Sequence, residues 1–135
     1  MGTRSLTYVY DNKIEDAGLP LVCMYRQYDG YVNGHGQELA DFLIGKKLVN
    51  GLGENTNMVA NGMGCLAALM VSHFKGNKPG DFYLQTPIVG MNAWQEYEYH
   101  VFEDGVTVIE GQIRDGHTIF TGTFAEFLLF CNKGE

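Results

Sequence analysis

The sequence predicts an α+β domain: a mainly antiparallel sheet of about five or six strands, two central helices and a short C-terminal helix. Three observations predict it. Strand-like and helix-like segments are segregated in the order ββ, αα, strand meander, α, whereas a doubly wound sheet would alternate them. Hydrophobic residues make up 45% of the chain, enough for a core without disulfide or metal staples. The 18 glycines are about twice the ordinary usage of ~7% and fall between apolar segments, where they mark tight turns and close backbone approaches.

Leu6 to Tyr10 reads as a strand because Thr, Tyr and Val suit a pleated, half-buried surface. Leu21 to Tyr28 follows across a polar connection and pairs with it as an antiparallel hairpin. Val22, Met24, Arg26 and Tyr28 share one face of this second strand, and Leu21, Cys23, Tyr25 and Gln27 the other. Apolar residues on both faces predict a central strand. The glycine-rich stretch from Asp29 to Gly36 folds tightly and delivers a helix over about Gln37 to Ile44. Leu39, Phe42 and Leu43 form its core stripe, Glu38 lies in its first turn and Gly45 serves as its C-cap. Asn50 to Gly64 reads as a second loop rich in glycine and asparagine. A second helix runs from about Gly64 to Phe74 through Leu66, Leu69, Met70 and Phe74, and the run from Gly76 to Gly80 ends it.

Phe82 to Gln85 is a short strand. Tyr97 to Glu103 and Val106 to Gln112 form a hairpin across Asp104-Gly105, the strongest local turn signal in the chain. On the first of these strands Tyr97, Tyr99 and Val101 share a face. Glu96, Glu98, His100 and Phe102 take the opposite one, which reads as the more solvated. Asp115-Gly116 marks another turn, Ile119 to Thr121 a last strand, and Thr123 to Phe130 a closing helix packed through Phe124, Phe127 and Leu128. With no internal repeat and no linker, residues 1–135 read as a single domain.

Composition narrows the function classes. The formal net charge of −7 disfavours bulk nucleic acid and anionic membrane, while leaving room for one small anion in a local pocket. Cys23, Cys65 and Cys131 are widely spaced and include no CxxC pair, which argues for free thiols in a reducing cytoplasm and against a zinc ribbon. The histidines form no metal-binding constellation and no Walker A motif occurs, so no metal and no cofactor is expected. Neither a signal peptide nor a membrane span is legible. Leu6 stands where a myristoylation signal needs Ser or Thr.

Three clusters carry candidate chemistry. In the first, Arg26 lies among Tyr25, Tyr28 and Tyr31, ahead of Asn33-Gly34-His35-Gly36. A planar cationic fork, stacking faces and a helix N-terminus suit a phosphate or carboxylate. The alternative is that Arg26 pairs with Asp29 or another carboxylate, the tyrosines fill the core and the glycines only permit the turn. The second cluster, Asn61-Gly62-Met63-Gly64-Cys65-Leu66-Ala67, fits the spacing of a dinucleotide fingerprint but lacks its βαβ setting. It reads either as a ligand loop at a helix start or as a glycine-started helix packed closely on the sheet. The third is a cysteine–histidine pair. Cys65 falls in the first turn of a helix, which favours a thiolate, and His100 on a later strand would be its base. A buried structural cysteine is the competing reading.

The opening Met1-Gly2-Thr3-Arg4-Ser5-Leu6-Thr7, the segment Tyr25-Arg26-Gln27-Tyr28-Asp29-Gly30-Tyr31 with Gly34-His35-Gly36, and Asn61-Gly62-Met63-Gly64-Cys65-Leu66-Ala67 together resemble a group of small phage and bacterial proteins. The resemblance spans most of the chain. It implies a phage or bacterial origin, a host-cytoplasmic location and, by analogy, an anti-defence role in which an oligomer sequesters a nucleotide immune signal. The resulting expectation is a non-enzymatic, homo-oligomeric binder of a small anionic, nucleotide-derived ligand through Arg26, Tyr28, Tyr31, His35, Gly36, Asn61, Gly62 and Gly64. A Cys65–His100 hydrolase and an acidic inhibitor of a host defence protein are the alternatives.

Overall fold

The computed structural model describes residues 2–49, 59–111 and 116–133. It is an α+β fold. Strands β1 (Ser5–Val9) and β2 (Val22–Arg26) form the expected antiparallel hairpin. A π-helical turn, Val32–Gly36, runs directly into α1 (Gln37–Ile44). Two short strands, β3 (Lys47–Val49) and β4 (Val59–Asn61), pair in parallel and precede α2 (Gly62–Lys75). Then come β5 (Phe82–Gln85), β6 (Tyr97–Phe102), β7 (Gly105–Glu110), β8 (His117–Gly122) and α3 (Phe124–Asn132).

The main sheet has six strands in the order β5-β2-β1-β6-β7-β8. Every neighbouring pair is antiparallel except β1 and β6, which run parallel with Tyr8 opposite His100. As expected, β2 is an interior strand. Its alternation divides the molecule. Arg26, with Thr7 and Val9 of β1, faces the helices, while Cys23 belongs with Leu6, Tyr8 and Tyr10 on the other face.

The helical face carries the larger core. Val9, Tyr99, Val101, Val106 and Val108 meet Leu39, Phe42 and Leu43 of α1, Met63, Leu66 and Met70 of α2, and Phe127 of α3. Each fully buried large side chain here contributes about 1.5–3 kcal/mol. A capping box starts α3: the Thr123 hydroxyl accepts from the Glu126 amide and the Glu126 carboxylate accepts from the Thr123 amide.

The opposite face departs from the sequence reading. Glu98 and His100, assigned to the more solvated side, are 0% and 3% exposed. The strap of residues 86–96 lies over them. Val89 and Ala93 pack on Leu6, Tyr8, Tyr10, Cys23 and Phe102. Two local expectations also change. The hairpin turns at Glu103-Asp104, and Gly105 is already in β7, opposite Phe102. Gly105 is needed for a different reason: a side chain there would collide with the Gly122 carbonyl of β8. The second helix starts two residues earlier than expected, at Gly62, whose φ of +83° favours glycine. Of the loop expected over Asn50 to Gly64, the first part, 50–58, lies outside the described residues, and Val59–Asn61 is strand.

Candidate functional site

Arg26 ends β2 on the helical face and is 6% exposed. The loop after it doubles back through Asp29, at φ +62°, and the π-turn returns His35 against the strand. The Asp29 carbonyl accepts from the His35 amide at 2.7 Å, and the Tyr99 hydroxyl donates to the Gly30 carbonyl at 2.7 Å. The Arg26 guanidinium contacts His35 Nδ1 at 3.2 Å and donates to both Glu38 carboxylate oxygens, at 3.1 and 3.4 Å. It also lies 4.8 Å from the centroid of the Phe82 ring. A guanidinium has no acceptor, so Nδ1 must accept. The imidazole proton therefore sits on Nε2 and points at the Thr7 hydroxyl, 2.7 Å away. Burial, and then the Arg26 cation, push His35 down to about 3, so the ring is neutral. Arg26 thus has an internal carboxylate partner, and it is Glu38 and not Asp29.

The neighbouring glycines serve this packing. A Cβ at Gly34 would meet the Asp29 carbonyl at 2.5 Å, and one at Gly36 would press on the Tyr99 ring and the Cys131 sulfur. Gly36 is buried, so the N-terminus of α1 offers no open anion site. Tyr28 and Tyr31 are 49% and 38% exposed. Neither lines the Arg26 cleft. Tyr31 instead donates to Asp29 and borders a separate open depression with Tyr97 and Glu110.

Arg26 nevertheless reaches solvent-accessible space. With Glu38 it forms one wall of a cleft of about 300 Å³, closed by the end of α2 and the turn into β5. His73, Phe74, Lys75, Lys78, Asp81 and Phe82 contribute the remaining side-chain chemistry. Lys75 Nζ donates to the Gly80 and Phe82 carbonyls at 3.1 and 2.8 Å, which leaves one of its three protons for another acceptor. Asp81, at φ +64°, accepts from the Gln27 and Tyr28 amides and so ties the turn to β2. Arg26 Nε is buried without a hydrogen-bond partner. Lys75, Lys78 and Phe82 were not among the sequence candidates. Only the packing of α2 on β5 brings them to Arg26.

The second glycine cluster lies elsewhere. Gly62 lines a cleft of about 360 Å³ with Asp11, Leu48, Val49, Met63 and Glu103. Among the described residues its ionisable groups are carboxylates, which oppose an anion at this helix start. Asn61, Gly62 and Gly64 therefore do not join Arg26. The α2 helix has 14 residues and spans about 20 Å, and the Arg26 cleft is at its other end.

Nor does the structure bring Cys65 to His100. Cys65 is half-buried in α2 and packs into the helical-face core. His100 lies under the strap, stacked on Tyr8 with ring centroids 4.8 Å apart. Its Nδ1 is 2.6 Å from the Tyr10 hydroxyl and its Nε2 is 2.9 Å from Glu98, and the other Glu98 oxygen accepts from Gln95 at 2.8 Å. Sequence reasoning missed this network. Its one local signal was the matched alternation of Tyr8 and Tyr10 with Glu98 and His100. Burial, and then the Glu98 charge, raise the Tyr10 phenol, and burial pushes the Cys23 thiol up to about 12. The hydrogen bond from Gln95 to Glu98 ties the strap to this network.

Among the described residues, no group of three or more His, Cys, Asp or Glu side chains is placed to hold a metal ion. No helix among them is long and apolar enough to cross a membrane. No protein-family model, curated protein or solved structure matches the chain.

Proposed function

We propose that this chain is a non-catalytic binding protein for a small anionic ligand, held in the cleft of Arg26, Lys75 and Lys78. One observation carries the reading: on a chain of net charge −7, three permanent cations converge on a cleft that holds two carboxylates, Glu38 and Asp81. The Phe74 and Phe82 rings supply flat walls, and one Lys75 proton is an unspent donor. Tyr28, Tyr31, His35, Gly36, Asn61, Gly62 and Gly64 drop out of the proposed contact set. A nucleotide-derived anion sequestered by an oligomeric phage protein, as the resemblance implies, is one occupant consistent with such a cleft. The acidic-inhibitor alternative rests on net charge alone.

Calorimetric titration with inorganic phosphate, AMP and acetate tests the proposal. Lys78 is exposed and makes no ion pair with a described residue, so Lys78→Gln probes the cleft without disturbing the core. The variant should weaken anion binding about tenfold, and added salt should weaken binding further. Equal affinities in the two proteins, or no heat with any of the three anions, would refute it.

A further inference from the structure

The Arg26 cleft does not end at Phe82. Lys75 and Phe82 are also part of the wall of a second cavity, about 360 Å³, completed by Met24, Val71, Tyr83 and Leu84. The two spaces are therefore neighbours, divided by one lysine and one ring that line both. They differ in chemistry. Apart from Lys75, every side chain lining the second cavity is apolar or aromatic. Sheet register explains the arrangement: Arg26 lies opposite Phe82 and Met24 opposite Leu84, so one step of two residues along β2 and β5 leads from the cationic end to the apolar end. Val71 and Lys75, one turn apart on α2, form the facing wall. The apolar end is open: Leu84 is 62% exposed and Tyr83 47%.

From this, and resting on the anion-binding proposal, we infer that the ligand is an amphiphile: a singly charged carboxylate head at Lys75, Lys78 and Arg26, and an apolar tail in the groove beside β5. Charge complementarity selects both ends. Three cations against Glu38 and Asp81 leave one net positive charge at the head, which matches a carboxylate better than a doubly charged phosphate monoester. The tail end has no carboxylate and no unspent charge other than Lys75 at its boundary, so it favours hydrocarbon. The polar ring of a nucleotide would leave its hydrogen-bonding edges without partners there.

Calorimetry with butanoate, hexanoate, octanoate and decanoate below their aggregation concentrations reads both halves of the site. Octylammonium and octyl phosphate serve as charge controls, and amide NMR spectra confirm that each variant is folded. Affinity should rise up to about fourfold per added methylene, the equivalent of ~0.8 kcal/mol. Lys78→Gln should weaken the whole series by one common factor. Leu84→Gln, at an exposed position, should flatten the chain-length dependence while sparing butanoate. Octylammonium should not bind, and octyl phosphate should bind less tightly than octanoate. If all four acids bind equally and Lys78→Gln weakens them, the amphiphile is wrong and the anion site stands. If longer acids bind tighter but Lys78→Gln changes nothing, the anion site itself falls. Tighter binding of octyl phosphate, or of a peptide with a free apolar C-terminus, would also overturn the fatty-acid-like head and tail.

Discussion

Acid should destabilise this protein through His35, and the effect can be sized. The imidazole titrates near 6.5 in an unfolded chain and is pushed down to about 3 in the fold by burial and by the Arg26 cation. Between those values the unfolded state carries a proton that the folded state refuses, so stability rises with pH across this window and falls on acidification. The contribution is fully present above about pH 6.5. By about pH 5 roughly 2 kcal/mol is lost, and by about pH 4 roughly 3 kcal/mol. Urea unfolding reads this as a fall of about 1 M in midpoint between neutral pH and pH 5. The control is His35→Gln, which removes the titrating ring. The variant will be less stable throughout, because the Thr7 and Arg26 contacts are disturbed, but its pH profile should be flatter. All other side chains are the same in the two proteins, so the difference between the profiles isolates His35. Parallel profiles from neutral pH to pH 5 would refute the reasoning, since they would mean that His35 admits a proton in the folded state.

Two further outcomes follow from the buried groups. Glu98→Ala removes the acceptor for both His100 and Gln95 and should cost about 3 kcal/mol in urea unfolding, with altered Trp94 fluorescence as the strap loosens; a loss under about 1 kcal/mol would show the carboxylate to be dispensable. Cys23 and Cys131 are buried, with thiols raised to about 12, whereas Cys65 is half-buried. Iodoacetamide under native, mildly alkaline conditions should label Cys65 first and leave the other two intact, as peptide mass mapping would record; comparable labelling of all three would contradict the burial.

Local chemistry made much of the fold legible. The Leu39, Phe42 and Leu43 stripe and the turn-rich flanks mark α1, and Phe82–Gln85 stands out between a glycine-rich turn and a stretch without periodicity. The parallel contact of β1 with β6 left no such mark, because strand composition does not encode a distant partner. The three-residue strands β3 and β4 are too short to show a period. The buried side of β6 was misread for a related reason: Glu98 and His100 look solvent-facing until Gln95 and the two tyrosines are placed on them. Of the residues proposed to line the site, Arg26 stood out in the sequence because it lies among tyrosines just ahead of a glycine-rich loop. Lys75, Lys78 and Phe82 did not, because nothing local ties the end of α2 to β2. Three of the glycines have a local account of their own. Gly34 and Gly36 are fixed by the density around His35, and Gly62 by its own backbone angle.

The parallel seam between β1 and β6 also bears on the order in which the chain folds. Tyr10 and His100, which meet across it, are 90 positions apart. Bringing such distant points together costs about 4 kcal/mol in chain entropy, far more than closing the β6–β7 turn. The hairpin of β1 with β2 and the meander of β6, β7 and β8 can therefore form early and separately, and their junction comes late. Tyr99 reaches Gly30 and Gly36 from one side of that junction, and Gln95 holds Glu98 on the other. Until it closes, Tyr99 lacks Gly30, and His100 lacks Tyr8 and Tyr10. Closing this one seam therefore completes both buried networks.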